Sequence, residues 1–435
     1  MFLESASLMS TIPGFCAIDF GTSNSAVATP TAEGDMRLIE LEPGQRTMPT
    51  AVFYFAEGRH DADGPPRAFG RAAVQAYVDG HDGRLMRSMK SILGSPLIDQ
   101  TTDVGGGRGA KYSDIVAGYL KRLRRLAGEP ERAVLGRPVF FVDGEPARDA
   151  AAQAQLEACA RSVGFREVQF QYEPIAAAFD FERQAICEGR GEQIVLVADI
   201  GGGTSDFSVV RVGPERIGRL ERRDDILASH GVHIAGTDFD RHIELAGILQ
   251  EFGYRSTTDS GREMPSGLYF DLATWHLINS CYAPLRLAEW RSMKGWFANP
   301  RQHARLMTVL EERLGHELAA RAEGAKIAVS GGADTEVDLT LIEPGLRLAV
   351  TEQTAVGALR SDLNRIIATA HETVALAGLQ TSQIDALYFT GGSTGLRLLV
   401  DGMANGFPNA ARVSGDRFAS VATGLGLHAQ RLFGA

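Results

Sequence analysis

Two related β-hairpins lie half a chain apart, and they limit the possible folds more than any other feature of the sequence. The first combines the strand pattern 15–20 (FCAIDF), a polar tip, Gly21-Thr22-Ser23-Asn24, and an apolar return at 26–28. The second combines 194–200 (IVLVADI), the tip Gly201-Gly202-Gly203-Thr204 and an apolar return at 207–212. Short apolar runs bounded by glycine-bearing polar tips predict strands joined by turns. Each copy ends its first strand on an Asp, has a Gly two residues later and follows with a Thr-Ser pair. These are Asp19, Gly21 and Thr22-Ser23 in one copy, and Asp199, Gly201 and Thr204-Ser205 in the other. Such a repeat predicts a duplicated lobe with the two tips facing each other.

A third glycine loop follows the short buried-type strand 386–390 (ALYFT), where Gly391-Gly392-Ser393-Thr394-Gly395 leads into an apolar helical run at 396–403. Residues 145–163 are rich in Ala with few breakers and predict a helix, whereas Val168, Phe170 and Tyr172 alternate with polar residues as a strand does. Glu173-Pro174 closes that strand and opens a further helix through IAAAFDFE, with Pro where its missing N–H costs nothing. The polar, Gly/Pro-containing segments 55–66 and 253–267 read as surface insertions.

At 435 residues the chain exceeds one small core and implies two or three domains or a pair of large lobes. Forty-four Lys and Arg against 54 Asp and Glu give a net charge of −10, so the overall field repels nucleic acid and anionic membranes, and a phosphate ligand needs a locally prepared site. Cys16, Cys159, Cys187 and Cys281 are scattered, with no CxxC pair and no His at metal-ligand spacing, which predicts buried thiols in a reducing compartment. The first twelve residues carry Glu4 and neither Lys nor Arg, unlike a signal peptide. No apolar run approaches the roughly 18 residues of a membrane span. A cytoplasmic protein with neither nucleic acid nor membrane as partner is expected.

Two facing tips with successive backbone N–H groups form a nest that holds a polyphosphate without net positive charge, and a Cβ at their glycines would block the close approach. Asp19 and Asp199, at the tip bases, are suited to hold Mg²⁺ through its water shell, because this ion needs only one or two carboxylates beside phosphate oxygens. Taken singly, each hairpin reads equally as a turn with a solvated Asp; the pair favours the phosphate reading. Hydrolysis further needs a group that orients water and a cation that spreads developing charge. Glu173, at a helix N-terminus that keeps a carboxylate ionised, is the candidate for the first, or else simply a helix cap. Lys90, within 84–94 (RLMRSMKSILG), is a candidate for the second, although periodicity alone reads it as an exposed helix lysine. No GxxxxGK[ST] occurs; 105–113 (GGGRGAKYS) lacks the Gly-Lys adjacency and reads as a hairpin, and GxGxxG and HExxH are absent.

FCAIDFGTSNSAVA, VLVADIGGGTSDFSVV and LYFTGGSTG resemble the two phosphate loops and the adenosine loop of the actin, hexokinase and DnaK superfamily. Within it the similarity is to DnaK-type heat-shock chaperones. YEPIAAAF at 172–179 is similar to their NEPTAAA segment, AGTDFD at 235–240 to GGEDFD, and MKSILG at 89–94 to AKRLIG. The markers run from residue 15 to about 427.

The resemblance implies an α/β, actin-like (ribonuclease H-like) duplicated two-lobe ATPase fold with four subdomains. Residues 14–192 would form lobe I with an outer insertion at about 51–111, and 193–435 lobe II with an outer insertion at about 235–360. It implies ATP or ADP with Mg²⁺ as ligands, Lys90 and Glu173 flanking the terminal phosphate, and Asp199 and Thr204 beside them. It further implies phosphate contacts from Gly21, Thr22, Ser23, Asn24, Gly201, Gly202, Gly203 and Thr204, with Asp19 and Asp199 at the metal and Asp206 in the same region. Gly236 belongs to the nucleotide set; Glu323, Lys326 and Ser330 match the helix at the nucleoside, and Gly391, Gly392 and Ser393 the opposite wall.

Ile327 and Gly395 stand where the chaperones carry two Arg residues at the adenine, so those contacts are missing or replaced. FDLATWHLIN at 270–279 and Asp416-Arg-Phe-Ala-Ser-Val-Ala are similar to a shorter YegD-type branch. No counterpart of the chaperones' interlobe linker and peptide-binding domain is found before Ala435, so peptide clamping by that route is not expected. The expected function is a slow, chaperone-like ATPase switch with an unidentified client or co-chaperone. A small-molecule kinase and a nucleotide-dependent filament or scaffold protein use the same superfamily fold and are the alternatives.

Overall fold

Two mixed sheets with the same strand order organise the computed structural model, which describes residues 14–58, 66–142, 144–258, 260–415 and 420–434. In the first half, β1 (Phe15–Phe20) and β2 (Asn24–Pro30) form the predicted antiparallel hairpin, and β3 (Met36–Leu38) and β4 (Thr47–Pro49) both pair with β2. The chain then leaves the sheet through β5 (Ala51–Phe55), β6 (Arg67–Phe69), α1 (Gly70–Val78) and β7 (Gly83–Arg87), which build a small sheet of order β6-β5-β7. A separate hairpin, β8 (Thr101–Asp103) with β9 (Gly109–Lys111), occupies the predicted 105–113 turn. After α2 (Tyr112–Leu126), strand β10 (Arg132–Arg137), α3 (Pro146–Ser162) and β11 (Glu167–Tyr172) complete the order β11-β10-β1-β2-β3, with β10 and β11 parallel to β1.

Helix α4 (Glu173–Cys187) crosses to the second half. There β12 (Gln193–Ile200), β13 (Ser205–Val212) and β14 (Ile226–Val232) run antiparallel. A long excursion follows through α5 (Gly236–Ala246), α6 (Gly267–Leu272), α7 (Pro284–Ser292), α8 (Pro300–Glu311), α9 (Gly315–Ser330), the hairpin β15 (Thr335–Asp338) and β16 (Arg347–Val350), and α10 (Glu352–Leu376). The chain returns with β17 (Ala386–Thr390), α11 (Arg397–Asn405), β18 (Ala411–Ser414) and α12 (Ser420–Phe433), giving the order β14-β13-β12-β17-β18 with β17 and β18 parallel. Each half therefore has a central strand flanked by its hairpin partner on one side and two parallel strands on the other. The parallel strands need crossovers, and these supply helices to cover the sheets.

Helices α4 and α12 pack together between the two sheets. Ala176, Ala177, Leu425 and Ala429 share one buried cluster with Ala17 and Val134 of the first sheet and Val195 and Val197 of the second. Only glycine fits at Gly424, where a Cβ would overlap the Ala176 carbonyl. The other two large cores lie on the outer faces of the sheets, one in each half.

Several sequence expectations need correction. Residues 84–94 are not a helix: β7 is followed by a 3₁₀ turn, Met89–Ile92, entered through Ser88 at φ 53°, and Lys90 is only 8% exposed. Segment 253–267 is largely exposed, in keeping with a surface insertion, and is anchored by the buried Tyr254 and Met264 and by the bridge from Thr258 to Phe297. Cys187 is exposed; the other three cysteines are buried as expected. The first twelve residues, most of the 55–66 loop and Asp416 to Ala419 of the Asp416 run lie outside the described residues.

Candidate functional site: a carboxylate-lined cleft between two glycine tips

Each tip sits where its central strand turns back. Asp19 pairs with Ala26 across the first hairpin and Asp199 with Asp206 across the second, so both acids project from equivalent strand ends. Gly21 turns so tightly that a Cβ would overlap the Asn24 carbonyl, and Gly201 closes the second turn by donating its N–H to Thr204 O at 3.0 Å. The tips meet: a Cβ on Gly202 would lie 3.0 Å from Ser23 Oγ. Thr22 and Ser23 are half-buried beside them, and Asn24 and Gly203 are exposed.

The second tip is braced from behind. Gly236 N and Thr237 N donate to the carbonyls of Gly201 and Gly202 at 3.2 and 2.8 Å. Thr237 Oγ1 donates again to Gly202 O, and Ser393 Oγ to Gly201 O, both at 2.7 Å. Gly391 adopts φ 87°, and a Cβ there would stand 2.6 Å from Asp199 Oδ1. The three glycine loops of the second half, at Gly201, Gly236 and Gly391, thus converge on one point.

At the floor, Lys90 Nζ contacts Glu173 Oε1 at 2.5 Å. Glu173 is the first residue of α4, and the 3₁₀ turn brings Lys90 to it from the other side. Burial works against the lysine charge, but Glu173 and Asp19 outweigh it and hold its pKa above the ordinary value. Asp19 is pushed up to about 8, by desolvation first and then by Glu173, with Lys90 opposing. Asp199 is pushed up to about 7 by desolvation, Asp206 and Glu173. Asp206 is raised by desolvation within the cleft walls, although Thr204 Oγ1 donates to its Oδ2 at 2.8 Å and works against the shift. Four carboxylates therefore surround a single lysine. Among the described residues no group of three or more His, Cys, Asp or Glu forms a ready-made metal cage. The crowding still fits a hydrated divalent cation held by one or two carboxylates, because such an ion removes their mutual repulsion.

The residues expected beside a nucleoside have local partners. Lys326 Nζ pairs with Asp240 Oδ1 at 2.7 Å, and Ser330 Oγ donates to Lys326 O at 2.6 Å. Glu323 is exposed, and Ile327 is 63% exposed on the same helix. Gly392 is exposed, whereas the Ser393 hydroxyl is committed to Gly201.

Beyond Glu173, Asp199, Thr204 and Asp206 the cleft opens into a cavity of about 370 Å³, walled by Phe140, Phe141, His230 and His233 among others. Sequence reasoning missed this wall, since no motif marks Phe140 or Phe141. It also missed Thr237 and Asp240, although both sit inside the AGTDFD segment already singled out.

No protein-family model matches the chain. Among curated proteins, it is 30% identical over 243 residues to the chaperone protein DnaK of Thermosipho melanesiensis, covering 54% of this chain and 35% of that protein. It is 25% identical over 443 residues to the chaperone protein DnaK of Buchnera aphidicola subsp. Schizaphis graminum, covering 96% of this chain and 59% of that one. A third relative, the chaperone protein DnaK of Thermotoga neapolitana, is 28% identical over 243 residues. The matches span between 35% and 59% of the length of these relatives. No helix among the described residues is long and apolar enough to cross a membrane.

Proposed function

We propose, from the similarity of this chain to DnaK chaperones over nearly its whole length, that it binds ATP and ADP with Mg²⁺ between its sheets and hydrolyses ATP slowly. The observation that carries the reading is the Lys90–Glu173 pair, set among Asp19, Asp199 and Asp206 where the two glycine tips meet. On this reading, 14–192 and 193–435 act as lobes I and II of a four-subdomain, actin-like fold, with outer parts at about 51–111 and 235–360. The protein is a cytoplasmic switch whose nucleotide state alters its affinity for a protein client or co-chaperone.

The tips supply N–H donors and the hydroxyls of Thr22, Ser23 and Thr204 to the phosphates, and Asp19 and Asp199 hold the hydrated metal. Bound Mg²⁺ neutralises phosphate charge. Lys90, kept protonated by its carboxylate neighbours, spreads charge on the terminal phosphate oxygens, and Glu173, held by Lys90, orients the attacking water. The test is phosphate release by the purified protein supplied with Mg·ATP alone, with nucleotide binding followed by calorimetry. Lys90→Ala and Glu173→Ala are expected to retain ATP binding and to lose hydrolysis by roughly 10²-fold or more. Hydrolysis at the parental rate in both variants would remove their assigned roles.

A second reading, a small-molecule kinase, gains support from the cavity of about 370 Å³ beyond Glu173, which is larger than one attacking water requires. Turnover that strictly requires an added hydroxyl compound would favour it.

A further inference from the structure

The two tips are gripped from outside in the same way, a relation that no glycine spacing marks. Ser23 and Gly202 are the residues at which the tips meet, and the carbonyl of each accepts the backbone N–H of a threonine. Thr50 N donates to Ser23 O at 2.9 Å, and Thr237 N to Gly202 O at 2.8 Å. Each threonine stands where its half of the chain leaves the central sheet. Thr50 separates β4 from β5, the strand that enters the small outer sheet, and Thr237 is the second residue of α5, which opens the helical excursion. The hydroxyls add to the grip. Thr237 Oγ1 donates to the same Gly202 O at 2.7 Å, so this carbonyl accepts twice from one residue. Thr50 is buried, and its Oγ1 lies 2.8 Å from Ser25 Oγ. The carbonyl before it, Pro49 O, accepts from the buried Tyr119 Oη at 3.0 Å, which fixes the backbone entering Thr50. Ladder pairing of β2 with β4 accounts for the Thr50 N–H bond, but not for the buried hydroxyl pair. Formation of α5 likewise does not require its second residue to donate twice to a separate loop.

We propose that Thr50 and Thr237 are a matched pair of positioning residues that set the two tips for a polyphosphate, an inference that rests on the nucleotide reading above. A carbonyl and the N–H of the next residue share one rigid peptide plane, so holding Ser23 O and Gly202 O sets the direction of the Asn24 and Gly203 N–H groups. A ligand that spans both tips gains affinity when the donors on each are already fixed in direction, because less ordering remains to be done on binding. The threonines act through the tips rather than on the ligand, and they do so from the points at which the two outer parts of the chain begin.

The test uses Thr50→Val and Thr237→Val in the full chain, which keep the side-chain shape and the backbone N–H and remove only the hydroxyl. ADP affinity, measured by calorimetry with Mg²⁺ present, should fall about three- to tenfold in each variant, the span expected for loss of one hydrogen bond. The affinity for adenosine, which offers the tips no phosphate, should stay at the parental value. Thr50→Ser and Thr237→Ser should restore ADP binding. Should Thr50→Val fail to fold, Ser25→Ala removes the same hydroxyl contact and is expected to give the same loss. Parental ADP affinity in the valine variants, an equal loss for adenosine, or no recovery with serine would each overturn the proposal. A parental chain that takes up no ADP would instead overturn the nucleotide reading, and this pairing with it.

Discussion

The guanidinium of Arg87 lies 4.3 Å from the centroid of the Trp275 ring, joining the small outer sheet of the first half to the helical excursion of the second. Tyr77 packs on the same indole at 5.0 Å between centroids, and His316 touches both rings. Hydrogen bonds from Tyr77 Oη to His276 O and from Asn279 Nδ2 to Tyr77 O, each 3.2 Å, complete the bridge. A cation–π contact and an aromatic pair contribute about 1–2 kcal/mol between them. If this bridge must part before nucleotide leaves, Trp275→Ala should speed ADP release roughly tenfold. Stopped-flow displacement of a fluorescent ADP measures it, and an unchanged release rate would dissociate the bridge from exchange.

The same cluster should be acid-sensitive. Burial depresses His316 to about 4. A base whose folded pKa is lowered contributes stability that is present above its unfolded value of about 6.5 and is lost as pH falls through about 4. ADP release should therefore accelerate from pH 6.5 to pH 4.5, and His316→Phe should flatten that dependence.

The carboxylate cluster gives the opposite sign. Asp19 and Asp199 bind protons more tightly in the folded chain than in the unfolded one, so their contribution to stability falls as pH rises from about 4 through about 7 to 8. Without metal, Asp19→Asn should stabilise the chain at pH 8 by about 1–3 kcal/mol relative to its effect at pH 5. Magnesium must displace those protons, so its affinity should rise between pH 6 and 8. Calorimetry in buffers of different ionisation enthalpy should detect proton release near pH 7. A pH-independent Mg²⁺ affinity would show that these acids do not hold the ion.

Arg222 is fully buried and pairs with both Glu182 of α4 and Asp225 of the second half. Glu182 also accepts the N–H of Gly213 at 2.8 Å. Replacing Arg222 by Met leaves the buried Glu182 without its paired cation, while Asp225 keeps only Arg216, a loss of about 3–5 kcal/mol. Urea denaturation should show it, and Glu182→Gln/Arg222→Met should recover part of the loss.

Gly424→Ala should disturb the packing of α12 on α4, because the added methyl meets backbone rather than a movable side chain. A destabilisation of about 1–3 kcal/mol or more is expected, readable as a lower Tm.

Much of the candidate site's geometry was legible because its loops approach one another closely through backbone, and close backbone approach leaves glycines in the sequence. The tips at Gly21, Gly201 to Gly203 and Gly391 are visible for that reason, and the repeated Asp beside two of them gives the duplication. Lys90 was not legible from periodicity: the pattern around it suits a helix, and only tertiary contact with Glu173 buries it in a 3₁₀ turn. The Phe140–Phe141 wall and the Arg87–Trp275 bridge were equally silent, since each joins side chains from distant elements with no local spacing to mark them.

Helix α4 starts at Glu173, in the cleft, and carries Glu182 nine residues further along. One unbroken helical segment of about 14 Å therefore connects the carboxylate proposed to orient water to the buried Arg222 pair in the opposite half. A partner pressing on the loop that carries Arg222 would move Glu173 itself, so the proposed hydrolysis would be slowed or advanced from a surface that never meets the nucleotide.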